Sequence, residues 1–135
     1  MKIRETQLAD YEQITQLLRG QKLLTDFSKE AFAKMLVRNK GFYLVAESNG
    51  KLVGTVFGSH DGGLFGYVYR AAVAKEFQNK GVGAALVKEL LSRFSKADIT
   101  QVFARIHKNN GHSLSFFQKM GFKLREDLFL ADSNF

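Results

Sequence analysis

Residues 78–84 read QNKGVGA, and they sit directly in front of the longest amphipathic run in the chain, ALVKELLSRFS at residues 85–95. Glycine weakens a helix interior but is useful at a first turn, where a backbone without Cβ lets a ligand approach free N–H groups. The amides of Gly81, Val82, Gly83 and Ala84 are therefore expected to converge on one point. The helix dipole adds about half a positive charge there, and Lys80 can supply a whole one. The stretch reads as a cradle for a phosphate or pyrophosphate.

The flanks of the cradle set the fold. After it, Leu86, Val87, Leu90, Leu91 and Phe94 form one apolar stripe, with Lys88, Glu89, Ser92 and Arg93 opposite. Before it, LFGYVYRAAV at 64–73 is a β-rich run that leads through AKEF into the loop. Upstream again, FYLVAE and KLVGTVFGSH are separated by SNG, whose Asn-Gly pair signals a hairpin because both residues tolerate positive φ. DGG at 61–63 turns the chain once more, giving an antiparallel meander.

Two helices precede the meander. Leu8, Tyr11, Ile14, Leu17 and Leu18 recur at helical spacing up to Gly20, after a short strand at MKIRE. Ser28 is the expected N-cap of the second helix, with Phe27 and Phe32 spaced as a hydrophobic staple and residues 39–41 as its stop. Downstream of the long helix, ITQVFARI is a strand expected to run parallel to the strand before that helix. NNGHSLSFFQKMG is a shorter helix closed by Gly121, and FKLREDLFLAD is expected to add a last strand or a tight pair. The element order is β-α-α-β-β-β-α-β-α-β, an α/β chain with a mixed sheet, and its 135 residues fit a single domain spanning 1–135.

Composition narrows the chemistry. With 45% hydrophobic and 24% charged residues the chain is of ordinary globular type, and no apolar run approaches the ~20 residues that span a bilayer. The polar N-terminus leaves no room for a secretory signal, so a cytoplasmic address without membrane partners is expected. There is no cysteine, which excludes disulfides, thiolate metal sites and cysteine nucleophiles, and with three histidines no metal is expected. A net charge of +7 suits an anionic partner, but the basic residues are scattered and no nucleic-acid module is recognisable; Lys75, Lys80 and Lys88 bracket the cradle and favour a local phosphate site.

Three phosphate motifs compete for the cradle. A P-loop needs lysine and then serine or threonine after its glycines, whereas Lys80 precedes them. The dinucleotide fingerprint needs glycine at Leu86 and an acid near Phe103. The remaining pattern, Gln/Arg-x-x-Gly-x-Gly/Ala, is matched by Gln78, Gly81 and Gly83 after a strand ending in AAV. Here the chain resembles the GCN5-related N-acetyltransferase (GNAT) superfamily, in which this segment binds the pyrophosphate of acetyl-CoA. NNGHSLSFFQKMGF is similar to a second segment of that superfamily, with Asn110, Ser113, Phe116, Phe117, Lys119, Gly121 and Phe122 in register. The run FYLVAESNGKLVGTVFGSHDG further resembles small, mostly uncharacterised bacterial members. The derived element order is also the superfamily's order.

The resemblance implies a GNAT fold with a splayed central sheet. The strand ending at Val73 and the next one part, leaving a slot in which the backbone of Ala71, Ala72 and Val73 bonds pantetheine as a substitute strand. It implies acetyl-CoA as cosubstrate, held also by Gln78, Asn79, Lys80, Gly81, Val82, Gly83, Ala84, Asn110 and Phe117. It implies acetyl transfer to a primary amine of a small molecule or peptide by direct attack in a ternary complex, and it points to a homodimer. One departure matters: many members carry a tyrosine that protonates the leaving thiolate where this chain has Phe117. With no carboxylate on the strand facing the thioester, Tyr69 and His107 are the catalytic candidates. Arg70, on the opposite face by strand alternation, is placed either to receive a substrate carboxylate or to solubilise an edge. The alternative reading is an acyl-CoA-binding or sensing module with weak or no catalysis.

Overall fold

The computed structural model describes residues 1–21 and 26–133. Strand β1 (Lys2–Glu5) passes through a 3-10 turn at Leu8–Asp10 into helix α1 (Tyr11–Gly20). Helix α2 (Lys29–Arg38) starts where the sequence placed it: Ser28 Oγ accepts from the Ala31 N–H at 3.1 Å, and the Phe27 and Phe32 rings lie 5.9 Å apart. Strands β2 (Tyr43–Ser48) and β3 (Lys51–His60) pair antiparallel across a turn in which Asn49 and Gly50 have φ of 51° and 76°. This is the doubly positive geometry that an Asn-Gly hairpin requires. The next turn is closed by the Asp61 carboxylate, which accepts from the N–H groups of Gly63, Leu64 and Phe65 at 2.9–3.0 Å. Strand β4 (Phe65–Val73) then runs antiparallel to β3.

Helix α3 (Val82–Lys96) crosses over to β5 (Gln101–Ala104), which is parallel to β4, and helix α4 (Gly111–Lys119) follows. The sheet order is β1-β2-β3-β4-β5. The chain falls into two compact units, residues 1–105 and 106–135. No helix among the described residues is long and apolar enough to cross a membrane.

Within the first unit the sheet is covered on both faces. On one face Ile14, Leu17 and Leu18 of α1 and Phe32 of α2 bury against Tyr43, Val45 and Phe57. Each such side chain withdrawn from water contributes roughly 1.5–3 kcal/mol. On the other face α3 lies unusually close, because the strands beneath it present glycine. A Cβ on Gly54 would stand 2.9 Å from both Leu86 and Val82, one on Gly58 2.7 Å from Leu90, and one on Gly66 2.9 Å from Phe94. The three glycines form the floor on which the stripe Val82, Leu86, Leu90 and Phe94 rests, and this fixes where the N-terminus of α3 points.

Two expectations are corrected. β5 is four residues long and ends at Ala104, short of the run 99–106. Residues 122–133, expected to supply a last strand, form no strand among the described residues. That segment contains no β-branched residue, so its intrinsic strand preference is weak. An extended chain is held as a strand only when a neighbouring backbone takes its N–H and C=O groups. Here Arg125 instead folds back locally on Asp127 at 2.9 Å, and Leu128, Phe129 and Leu130 are exposed.

Candidate functional site

The sheet parts at the place expected. β4 pairs with β5 only through Phe65–Gln101, Gly66–Val102, Tyr67–Phe103 and Val68–Ala104; from Tyr69 onward it has β3 as its sheet partner. The second half of β4 is also irregular. Between the pairs Thr55–Ala72 and Phe57–Tyr69 it carries one more residue than β3, and Arg70 takes up the extra length at φ 51°. A bulge of this kind re-aims side chains and increases local twist, which swings the end of β4 away from the line of β5.

The direction of the backbone groups follows from the register. Ala74 N–H donates to the Val53 carbonyl at 2.8 Å. In an antiparallel pair the polar groups of successive residues alternate in direction, so those of Val73 point away from β3, toward the side β5 has left. One of them is engaged. Gln78 Nε2 donates to the Val73 carbonyl at 3.1 Å and to Gln21 Oε1 at 2.9 Å, while the Gln78 backbone N–H goes to Lys75 O at 3.3 Å. Gln78 thus ties the loop to the end of β4 and to the segment after α1, and these groups are occupied by protein.

The rest of the loop matches an anion cradle. Asn79 has φ 62° and Gly81, the N-cap of α3, has φ 85° and ψ 4°. No side chain caps this helix end; the first intrahelical bond is from Ala85 N–H to Gly81 O at 3.0 Å. The amides of Val82, Gly83 and Ala84 are among those a helix leaves unsatisfied at its start. A left-handed residue followed by helical ones makes a concavity of N–H groups, the geometry of an anion nest. A Cβ on Gly81 would meet nothing within 4 Å, so glycine is required there for its φ and the space in front of it is open. Lys80 is exposed, with Nζ 5.6 Å from the centre of the Phe77 ring.

At the start of the parted half of β4, the Tyr69 hydroxyl bonds the hydroxyl of Tyr43. Tyr43 is only 2% exposed and stacks on Phe57 with ring centres 4.3 Å apart. Burial pushes the Tyr43 phenol far above its ordinary pKa, and the bond to Tyr69 adds to this. Burial also raises Tyr69, against the opposing pulls of the Tyr43 hydrogen bond and the Arg70 charge. Both phenols stay protonated at neutral pH, so Tyr69 can donate a hydrogen bond but is a poor base. Nothing in the run FYLVAE distinguished Tyr43 from a core aromatic.

Arg70 is not on the opposite face from Tyr69. Its guanidinium carbon lies 4.8 Å above the Phe27 ring and 6.0 Å from that of Tyr69, and Phe27 belongs to the cluster that packs against Tyr11, Phe32 and Phe57. The bulge cancels strict alternation and brings both side chains to the α1 and α2 face. Ala71 is half-buried and Ala72 buried, leaving little side-chain bulk along this stretch.

The remaining candidates lie in the second unit. Asn110 is the N-cap of α4, its Oδ1 accepting from Ser113 N–H at 3.1 Å, so its side-chain oxygen is in use and its Nδ2 remains as a donor. Phe117 is buried, edge-on to Phe116 and Phe122 at 5.2 Å each. His107 is exposed in a turn and not at a strand end, with Nδ1 accepting from Asn109 N–H at 3.2 Å.

The described residues thus form a mixed α/β sheet that opens beside an uncapped helix N-terminus. The family model described as Acetyltransferase (GNAT) family matches residues 5–122, and the chain belongs to that family. Its fold is shared with Ard1 from Thermoplasma volcanium, at 22% identity and TM-score 0.84, over 92% of this chain and 83% of the other. PaiA N-acetyltransferase from Thermoplasma acidophilum, solved in complex with coenzyme A, is 20% identical with TM-score 0.82 over 93% and 91% of the two chains. An aminoglycoside acetyltransferase from an uncultured soil metagenomic sample, in complex with sisomicin, is 20% identical with TM-score 0.80 over 99% and 95%.

Proposed function

We propose that the protein transfers an acetyl group from acetyl-CoA to a primary amine by direct attack in a ternary complex. The observation that carries this reading is the loss of β5 as a partner from Tyr69 onward, immediately before a helix N-terminus that no side chain caps. Pantetheine takes the place of the missing strand along Ala71, Ala72 and Val73, where the Val73 N–H is the donor left facing away from β3 and the Val73 carbonyl is already bonded to Gln78. The diphosphate rests on the amides of Gly81, Val82, Gly83 and Ala84, with Asn79 shaping the loop and Lys80 supplying charge. Gln78 positions that loop through Val73 and Gln21. Asn110 and Phe117 are assigned to the cofactor by the motif they occupy.

The chemistry is that of aminolysis of a thioester. The neutral amine adds to the acetyl carbonyl, the tetrahedral oxyanion collapses, the C–S bond breaks and the amine proton goes to solvent. An alkylamine of pKa near 10 must first lose a proton, which this reading assigns to water. Tyr69, held protonated, orients a reacting oxygen and does not serve as the base. Phe117 has no hydroxyl to give, so the thiolate, whose thiol pKa is near 8.5, leaves unaided or takes a proton from water.

Calorimetric titration with acetyl-CoA, followed by thiol release in a panel of amines, tests the reading. Saturable binding with turnover on at least one amine is expected; absence of acetyl-CoA binding overturns it. The missing hydroxyl at Phe117 favours a second reading, an acyl-CoA-binding module, which predicts binding without thiol release on any amine.

A further inference from the structure

Arg70 is the side chain for which the fold offers least reward and most provision. Among the described residues it is one of four non-glycine residues with positive φ, at 51°, a conformation that is sterically costly for a residue of this size. Asn49 and Asn79 are turn asparagines, and Asp98 follows the end of α3; Arg70 alone lies inside a strand. The strain has no return in pairing. Among the described residues no carboxylate forms an ion pair with it, and its Nη1 is buried without a hydrogen-bond partner. A buried guanidinium nitrogen left unbonded is costly, and such a group is expected to have a partner that arrives from outside.

The geometry says what kind of partner. The flat face of the guanidinium is taken by the Phe27 ring, 4.8 Å from its carbon. What remains is the edge, a planar fork of N–H donors that matches a carboxylate. The fork is carried by the residue just before Ala71, on the half of β4 that has no β5 partner, with its carbon 6.0 Å from the centre of the Tyr69 ring. If Tyr43, the more deeply buried phenol, donates within the pair, the Tyr69 proton is left for a second acceptor on the same ligand.

We infer that Arg70 is a specificity residue that receives a carboxylate of the acceptor amine, so that the substrates are amino acids or peptides bearing an acidic group close to the reacting nitrogen. This rests on the acetyltransferase reading. The same positive charge disfavours polycationic acceptors: polyamines and aminoglycosides meet repulsion where an amino acid meets a partner.

The test uses products in place of the unknown substrate. The CoA-loaded protein is titrated with matched pairs of N-acetyl amino acids and their uncharged amides, by calorimetry or by amide chemical shift, so that no turnover is needed. Acids are expected to bind at least about 10-fold more tightly than their amides, as one charge-assisted contact supplies. Arg70→Gln should abolish the difference, and Arg70→Lys should retain part of it. CoA affinity, measured separately, should be unchanged in both variants. Equal binding of acid and amide, including no binding of either, overturns the inference, as does a preference that survives in Arg70→Gln. Failure of CoA itself to bind would instead strike the acetyltransferase reading.

Discussion

Gln78 and Val73 are joined by a hydrogen bond of 3.1 Å that runs from the Gln78 side-chain amide to the Val73 carbonyl. It closes the loop between the end of β4 and the start of α3 into a ring, and a further bond of 2.9 Å to Gln21 fastens that ring to the segment after α1. The first residue of the cradle motif therefore works on the protein's own backbone. Its amide holds the strand end and the helix start at a fixed separation, so the uncapped N–H groups at the start of α3 and the unpaired half of β4 keep one geometry relative to each other.

Replacing Gln78 with Ala removes both bonds and leaves the Gln21 and Val73 oxygens to water. The expected loss is about 1 kcal/mol of stability, in the range for neutral hydrogen bonds. Acetyl-CoA affinity should fall severalfold, because the loop must be ordered on binding. Thermal melts and calorimetry on Gln78→Ala and Gln78→Glu check this; affinity unchanged in both variants would mean that the ring does not organise the cradle.

At Gly81 the obstacle to substitution is backbone conformation alone, since a Cβ there meets nothing within 4 Å and φ is 85°. Gly81→Val should cost about 1–2 kcal/mol through the left-handed region and turn the first amides of α3 out of line. A drop in acetyl-CoA affinity of at least about 10-fold is expected, with the far-UV circular dichroism unchanged. Gly81→Asn, which tolerates positive φ, should lose less. Gly20→Ala is the control, a site with neither positive φ nor a neighbour within 4 Å; a valine variant binding as the wild type does would remove the cradle from the account.

These sites differ in how far the sequence announced them. Local chemistry was readable: Ser28 caps α2, Asn49 and Gly50 turn the hairpin, and Gly81 opens α3, because each choice of residue answers a demand of the backbone within a few positions. The parting of β4 from β5 was legible through the family resemblance. Tertiary consequences were not. Alternation placed Arg70 opposite Tyr69, and a bulge that no residue type in YVYRAAV signals moved it to the same face. Gly54, Gly58 and Gly66 look like weak points in strands until α3 is laid over them. The apolar residues of 122–130 suggested a strand, but alternation cannot supply the neighbouring backbone that a strand needs.

The glycine floor gives a prediction about stability apart from the ligand. Gly58→Ala places a Cβ 2.7 Å from Leu90 Cδ1 and 3.0 Å from the Phe42 carbonyl oxygen. The leucine can rotate but the carbonyl belongs to the backbone, and it also accepts the Gly58 N–H at 2.7 Å. Overpacking of this kind costs roughly 1–3 kcal/mol, so a fall in Tm of about 5–10 °C is expected for a domain of this size. Gly63→Ala, with nothing within 4 Å, should melt as the wild type does. Equal melting of the two variants would mean that α3 is not seated on these glycines.

The pH dependence of stability should be dominated at its acid end by Asp10. Arg4 grips it with two bonds, Nη1 to Oδ2 at 2.8 Å and Nη2 to Oδ1 at 2.9 Å, and the Gln7 N–H adds a third at 2.8 Å. Burial by itself would raise the carboxyl pKa, but the Arg4 and Gln7 bonds outweigh it and the net shift is downward; Arg4 is raised in turn, chiefly by its bond to Asp10. A carboxylate whose pKa is lower folded than unfolded binds fewer protons in the native state. Its stabilisation is therefore complete above the unfolded value of about 3.9 and is lost as pH falls toward the folded one. Asp61, lowered by the three N–H groups of its turn, pulls in the same direction. Asp10→Asn should lower stability by about 2 kcal/mol at pH 7, and its unfolding curves should converge on those of the wild type as pH drops below about 4. A difference that stays constant down to pH 3 would show that Asp10 acts through its shape and not its charge.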